Sequence, residues 1–299
     1  MSCSACFSGT RVTLRQCSPE SESIYDLIIG LHNHCGGDWQ SAQREAGLSA
    51  AEIRHFLNYA AQFLGNAGNY KSFGDVKFVP RLPEAKFHAL ASISAGTLKR
   101  YQETGGAIYA QDAGRMHFGY PDAGHVSNYY PDSPSITKDE ITQVSEFLDN
   151  KGLLPENTRL RKDESGDFEV LLASEQRAPG RESRDVSQVE FGLDGALSGH
   201  KVYLTYGDHA TEMAKAAAAC RRAQEYAANE TQKCMMAEYA KSFDTGSYEA
   251  MKQSQRHWIK DKGPTVETNI GFVETYRDPH GVRGKYPLTL HNRRMLRPY

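Results

Sequence analysis

The stretch TRLRKDESGDFEVLLAS, residues 158–174, decides the fold class. Upstream of it, apolar residues recur at helical spacing. Within it the period drops to two, and TRLRKD and DFEVLLAS read as two strands turned by Glu164-Ser165-Gly166. VEFGL (189–193) and KVYLTYG (201–207) read as two further strands, separated from the hairpin by a polar segment, 176–187, with the composition of a flexible loop.

Working outward toward the N-terminus, the pattern is helical. Ser18-Pro19-Glu20 has the form of a helix start, followed by Ile24, Leu27, Ile28 and Leu31 and a stop at Gly36-Gly37. Ser49-x-x-Glu52 is a capping box ahead of Phe56, Tyr59, Ala60 and Phe63. GNAGNYKSFGD (65–75) is a loop, 83–104 reads as one more helix, and 107–134 reads as an irregular excursion rich in Gly, Tyr, Pro and Asp. Thr137-x-x-Glu140 opens a helix with Ile141, Val144, Phe147 and Leu148 inward. Toward the C-terminus, helices are expected over 210–227, 230–243 and 247–258, and then a last strand. Helices, strands, helices and a strand in blocks indicate α+β.

Composition narrows the function. The chain has 299 residues, 35 Lys plus Arg against 37 Asp plus Glu, and a net charge of −2. That balance gives no electrostatic reason to expect nucleic acid or an anionic membrane as partner. Apolar runs such as LIIGL (27–31) fall far short of the ~18 residues a membrane span requires. The opening MSCSACFSGTRVTLRQ has no apolar core of signal-peptide length, and the six cysteines are few for this length, so a cytoplasmic protein is expected.

The chemistry concentrates in VETNIGFVETYRDPHGVRG (266–284). If the strand continues, Val266, Ile270, Phe272, Glu274 and Tyr276 share one face, with Glu274 and Tyr276 about 7 Å apart. A half-buried carboxylate needs a cationic partner. Arg277 or Arg283 could supply it internally, or a ligand ammonium could. A tyrosine hydroxyl beside it can donate to a carbonyl oxygen that becomes negative during acyl transfer.

Several blocks together resemble the dipeptidyl peptidase III family: SPESESIYDLI (18–28), GNYKSFGDVKFVP (68–80), EVLLAS (169–174), WIKDKGPTVET (258–268) and GFVETYRDPHGVRG (271–284). The resemblance spans roughly residues 8–284. It implies one lobe of a two-lobed cytosolic zinc exopeptidase that removes dipeptides from short peptides. That lobe should pack helices around a mostly antiparallel, barrel-like sheet. It would be helical over 18–152, β-rich over 153–207, helical over 208–260 and extended over 265–276. By the same resemblance Glu274 holds the substrate's N-terminal ammonium, Tyr276 stabilises the reacting oxyanion, and Phe73 lines the pocket for the first side chain. Short peptides, gripped by their free N-terminus, would be the partners. The sequence carries no signature of an oligomeric state.

The departures from the family carry as much weight. Its His-Glu-x-x-x-His zinc motif is absent, since none of the eleven histidines is followed by Glu. No cofactor is therefore expected in this chain, the family's zinc belonging to the lobe that the resemblance does not cover. Without that metal the activated water is missing, and the chain alone is expected to be inactive. Residues 285–299, KYPLTLHNRRMLRPY, do not align with the family, and both ends look cut. Alternatives are a non-catalytic peptide-binding or decoy protein on the same lobe, or a gene-model fragment.

Other constellations are weaker. Cys3-x-x-Cys6 with His32, His34 and Cys35 lacks a usual second half of a zinc site. Ser135-x-x-Lys138 lies at a helix cap without companion motifs. Asp208-His209 and Glu212 suit the dipole of a helix start. No phosphate-binding glycine motif and no serine-hydrolase elbow is present.

Overall fold

The structure is a computed structural model that describes residues 4–175, 188–193, 195–264, 266–286 and 288–292. The fold class is α+β, as the order of periodicities indicates. Two compact units divide the chain. One comprises Leu14–Gly119 and Ala123–Asn128; the other comprises Met1–Thr13, Tyr120–Asp122 and Tyr129–Tyr299.

Helix α1 (Ser4–Arg15) leads into the helical unit, which holds α2 (Ser21–Cys35), α3 (Trp39–Glu45), α4 (Ala50–Asn66), α5 (Glu84–Ala91) and α6 (Ala95–Tyr109). The capping box at Ser49 and Glu52 is formed at the start of α4. Its apolar stripe packs with Leu27, Leu31, Phe87 and Tyr101 into one core. Two local readings change. Ser18 is not a helix cap: its hydroxyl bonds Asn69 Oδ1 at 2.7 Å, and α2 starts only at Ser21. The expected helix over 83–104 is two helices, because Ser94 takes an extended conformation and caps the Thr97 amide, starting α6 afresh.

The second unit contains α7 (Lys138–Asn150), β1 (Thr158–Lys162), β2 (Phe168–Ala173), β3 (Gln188–Gly192), β4 (Lys201–Asp208), α8 (Ala210–Glu225), α9 (Glu230–Thr245), α10 (Tyr248–Trp258), β5 (Val266–Ile270) and β6 (Leu288–Asn292). The β1–β2 hairpin is present, its turn gathered by Asp163 Oδ1, which accepts from the Ser165 and Asp167 amides. The sheet order is β1-β2-β4-β3. Leu160, Phe168, Val170, Leu172, Val202 and Leu204 are buried in a core they share with Ile141, Val144 and Leu148 of α7.

The barrel-like reading is corrected here. β2 and β4 run parallel, Val170 opposite Leu204, while β1 and β3 close the two edges without meeting. The sheet is open and mixed because β4 takes the place beside β2 that an antiparallel meander would give to β3. The segment 176–187, expected as a loop, lies outside the described residues.

Helices α8, α9 and α10 bury Met213, Ala217, Cys220, Tyr239, Phe243 and Met251 together with Ile270, Phe272 and Tyr286. The alanines of α8 let α9 approach closely, and burial of this face is what stabilises the helices. β5 pairs antiparallel with β6, Thr268 opposite Leu290. Residues beyond Gly284 are thus partly built into the fold, while Arg293, Arg294 and Arg297 lie outside the described residues. Among the described residues no helix is long and apolar enough to cross a membrane.

Candidate functional site

After Ile270 the chain leaves the β5–β6 ladder, and its two sides meet again through backbone bonds. The Val273 amide donates to Lys285 O at 3.2 Å, and the Lys285 amide to Glu274 O at 2.5 Å. Gly284, beside this crossing, donates to Glu156 O at 2.7 Å. A Cβ on Gly284 would lie 2.7 Å from the Phe272 carbonyl carbon, so the close approach of the two strands requires glycine there.

Between the crossing strands, residues 275–283 form a tight loop around one carboxylate. Asp278 is 4% exposed. Its Oδ1 accepts from the Tyr130 hydroxyl at 2.6 Å and the His280 amide at 3.1 Å. Its Oδ2 accepts from the Val282 amide at 3.1 Å and the Arg283 amide at 2.9 Å. Two fully buried guanidinium groups belong to the same loop. Arg277 donates to Thr13 O at 3.2 Å; Arg283 donates to the Tyr130 hydroxyl at 3.3 Å and lies 5.3 Å from the centre of that ring. Burial drives the Tyr130 hydroxyl well above the ordinary tyrosine range, so it remains a donor. His280, packed against Tyr120, is pushed below its usual value chiefly by burial, against the pull of Asp278.

The strand-face argument fails in one respect. The strand pattern makes Glu274 half-buried, with either an internal arginine or a ligand ammonium as its partner. It is exposed, because β5 ends at Ile270, and neither Arg277 nor Arg283 reaches it. Its carboxylate makes no hydrogen bond or ion pair with a described residue. Tyr276 is half-buried, and Lys285 Nζ donates to its hydroxyl at 2.7 Å while lying 5.2 Å from the ring centre. Lys285 also faces Glu274 across a single antiparallel bridge. Glu274, Tyr276 and Lys285 therefore gather at one place. Phe73 belongs to the helical unit, where it is 86% exposed.

Sequence reasoning missed Asp278, Tyr130 and Lys285. Only the neighbouring pair Asp278-Pro279, set between two arginines, hinted at a buried charge cluster. Nothing in the sequence marks Tyr130 as the residue that joins it.

Where the remaining candidates fall among the described residues, they take structural roles. Cys3 and the Cys6 side chain lie outside what is described. Cys35 donates to His32 O at 3.6 Å, and His34 lies 3.7 Å from Glu45. Asp208 forms a two-pronged pair with Arg159, at 2.8 Å and 2.7 Å. Among the described residues no three His, Cys, Asp or Glu side chains gather as a metal site. Together with the missing His-Glu-x-x-x-His motif, this donor set does not fit the zinc that the family resemblance implies.

Relatives cover the chain almost end to end. Dipeptidyl peptidase 3 of Dictyostelium discoideum is 38% identical over 284 residues, a match that spans 94% of this chain and 39% of that protein. Dipeptidyl peptidase 3 of Homo sapiens is 37% identical over 296 residues, again across 94% and 39%. The chain thus spans about two fifths of the length of the curated relatives it matches. A solved structure of dipeptidyl-peptidase III from Corallococcus sp. strain EGB superposes with a TM-score of 0.45 at 15% identity, over 95% of this chain and 38% of that one. The profile of Peptidase family M49 matches residues 100–289, more than half the chain, and continues past Gly284 where the sequence blocks ended. This chain belongs to Peptidase family M49.

Proposed function

We propose that the chain is the substrate-gripping part of a dipeptidyl peptidase: it holds short peptides by their free N-terminus and does not cleave them on its own. Cleavage in this family draws on zinc, and the donor set described above does not fit that ion. The proposal therefore routes no step through a metal. Glu274 accepts the substrate ammonium. Tyr276 offers its hydroxyl proton to a peptide carbonyl oxygen next along the bound chain, where negative charge develops during acyl transfer. A cytoplasmic setting is part of the same proposal.

The observation that carries this reading is Glu274: an exposed carboxylate with no described partner, in a family whose named members are dipeptidyl peptidases. Structural carboxylates in this loop behave differently, as the four bonds to Asp278 show. Titration calorimetry with tetra- to octapeptides tests it. Binding is expected for peptides with a free N-terminus, and loss of it on N-acetylation or in Glu274→Ala. Equal affinity for acetylated peptides, or release of dipeptide from a dipeptidyl-naphthylamide by the purified chain with added zinc, would overturn it.

A further inference from the structure

The helical unit holds a cleft of about 390 Å³ that none of the chemistry above uses. That volume falls within the roughly 300–1,000 Å³ of small-molecule sites. Its apolar wall is Pro19, Tyr70, Ala107 and Val126. Tyr70 is fixed in place: its ring stacks on Phe118 at 4.3 Å, and its hydroxyl donates to Arg115 O at 2.6 Å. The same cleft is lined by Glu20, whose side chain is only 14% exposed. Glu20 is held from behind. Asn69 Oδ1 accepts from the Ser18 and Ser21 hydroxyls, which turns its amide nitrogen toward Glu20, and Nδ2 donates to Glu20 Oε1 at 2.7 Å. Lys77 Nζ stands 3.8 Å from that oxygen, but it is already bound to Ala107 O at 2.6 Å and Ala110 O at 2.9 Å. Oε2 has no partner among the described residues. A mostly buried carboxylate with one oxygen tied and the other free beside a cleft is a pre-positioned acceptor for a cation.

We propose that this cleft binds a small organic ammonium ion, its nitrogen on Glu20 Oε2 and its apolar body against Pro19, Tyr70, Ala107 and Val126. The charge balance selects a cation. Glu103, a second lining carboxylate, is exposed and has no partner among the described residues. The lining cation Arg115 lies 3.3 Å from Asp112, which offsets its charge. The donor set selects nitrogen over a metal ion. Among the described residues no three His, Cys, Asp or Glu side chains gather, whereas hard cations take six or more oxygen ligands. An ammonium needs fewer acceptors. The Ser23 hydroxyl, which bonds no described residue, is a second one beside Glu20, and the Thr104 hydroxyl, which donates to Arg100 O, keeps lone pairs to accept with. The apolar wall selects a carbon body over bare ammonium, as in small-molecule sites generally. The inference is independent of the peptide-gripping reading, because it uses other residues in the other compact unit.

The test is a ligand-observed NMR titration of the full 299-residue chain with benzylamine and with benzyl alcohol, its neutral counterpart, in wild type, Glu20→Gln, Glu103→Gln and Ala107→Leu. Benzylamine is expected to bind wild type about tenfold more tightly than benzyl alcohol, in line with the strength of a charge-assisted bond. Glu20→Gln keeps an oxygen for Asn69 and removes the charge, and should abolish that preference. Glu103→Gln, at an exposed position, should weaken benzylamine by about twofold. Ala107→Leu fills the cleft and should weaken both ligands by about tenfold. Burial pulls the Lys77 ammonium below its usual value and Glu20 opposes that pull, so the urea midpoint of Glu20→Gln checks its fold. Ala107→Leu, which keeps every charge, decides the matter if Glu20→Gln does not fold. Equal binding of amine and alcohol by wild type, an unchanged preference in folded Glu20→Gln, or benzylamine affinity that ignores Ala107→Leu overturns the inference.

Discussion

Replacing Asp278 with asparagine keeps the shape of the loop and removes its charge. The carboxylate accepts four hydrogen bonds, two on each oxygen, and is 4% exposed. An asparagine has one acceptor oxygen, so two donors lose their partner and meet an NH2 group instead. Each buried donor left unmade costs about 1–3 kcal/mol. Two such donors put the expected destabilisation at about 4 kcal/mol, a large share of the ~5–15 kcal/mol that stabilises a domain. The Tyr130→Phe change removes one donor and should cost about 1–2 kcal/mol. Because the two residues bond directly, the double variant should be less destabilised than the sum of the singles. Urea unfolding followed by tyrosine fluorescence measures all three. A change below about 1 kcal/mol for Asp278→Asn, or strict additivity with Tyr130→Phe, would refute the claim that this carboxylate organises the loop.

Two further perturbations probe the frame around it. Burial pushes the Asp208 carboxyl upward, but His209 and Arg159 more than offset it and hold it below the ordinary value. A native value below the unfolded one means that the stabilisation is complete above about pH 4 and is lost as pH falls through the native value. Asp208→Asn should therefore flatten the acid limb of the urea midpoint below pH ~4 and cost about 2–4 kcal/mol at neutral pH; an unchanged acid limb contradicts the pairing. Gly246 ends α9 at φ 72°, and a Cβ there would lie 2.8 Å from Leu172 Cδ2 and 3.2 Å from Ala173 O. Gly246→Ala should lower stability by about 2 kcal/mol, from backbone strain and overpacking together, and a melting temperature within a degree of wild type would show that the sheet yields instead.

The parts that could be read from the sequence are those whose partners lie within one turn. The capping boxes at Ser49 and Thr137 join residues three apart, and both form. The turn between β1 and β2 is made by Asp163 bonding residues two and four ahead of it. Where the partner is distant, reading from the sequence failed. Ser18 has the look of a helix cap, yet bonds Asn69. Arg277 and Arg283 follow Glu274 closely, yet go to Thr13 and Tyr130. The family blocks ended at Gly284, and Lys285, the residue immediately after them, donates to the Tyr276 hydroxyl.

Sequence by itself determined the α+β class, the capping boxes at Ser49 and Thr137 and the family, because periodicity, caps and long motifs are written in neighbouring residues. Only the tertiary structure decided that β4 lies parallel to β2, that Asp278 takes Tyr130 from well over a hundred residues away, and that Glu274 is left facing solvent beside Lys285. The physical reason is that local order is settled by hydrogen bonds a residue can make with its own turn. Strand order and the burial of a charge depend on which distant surfaces exclude water together.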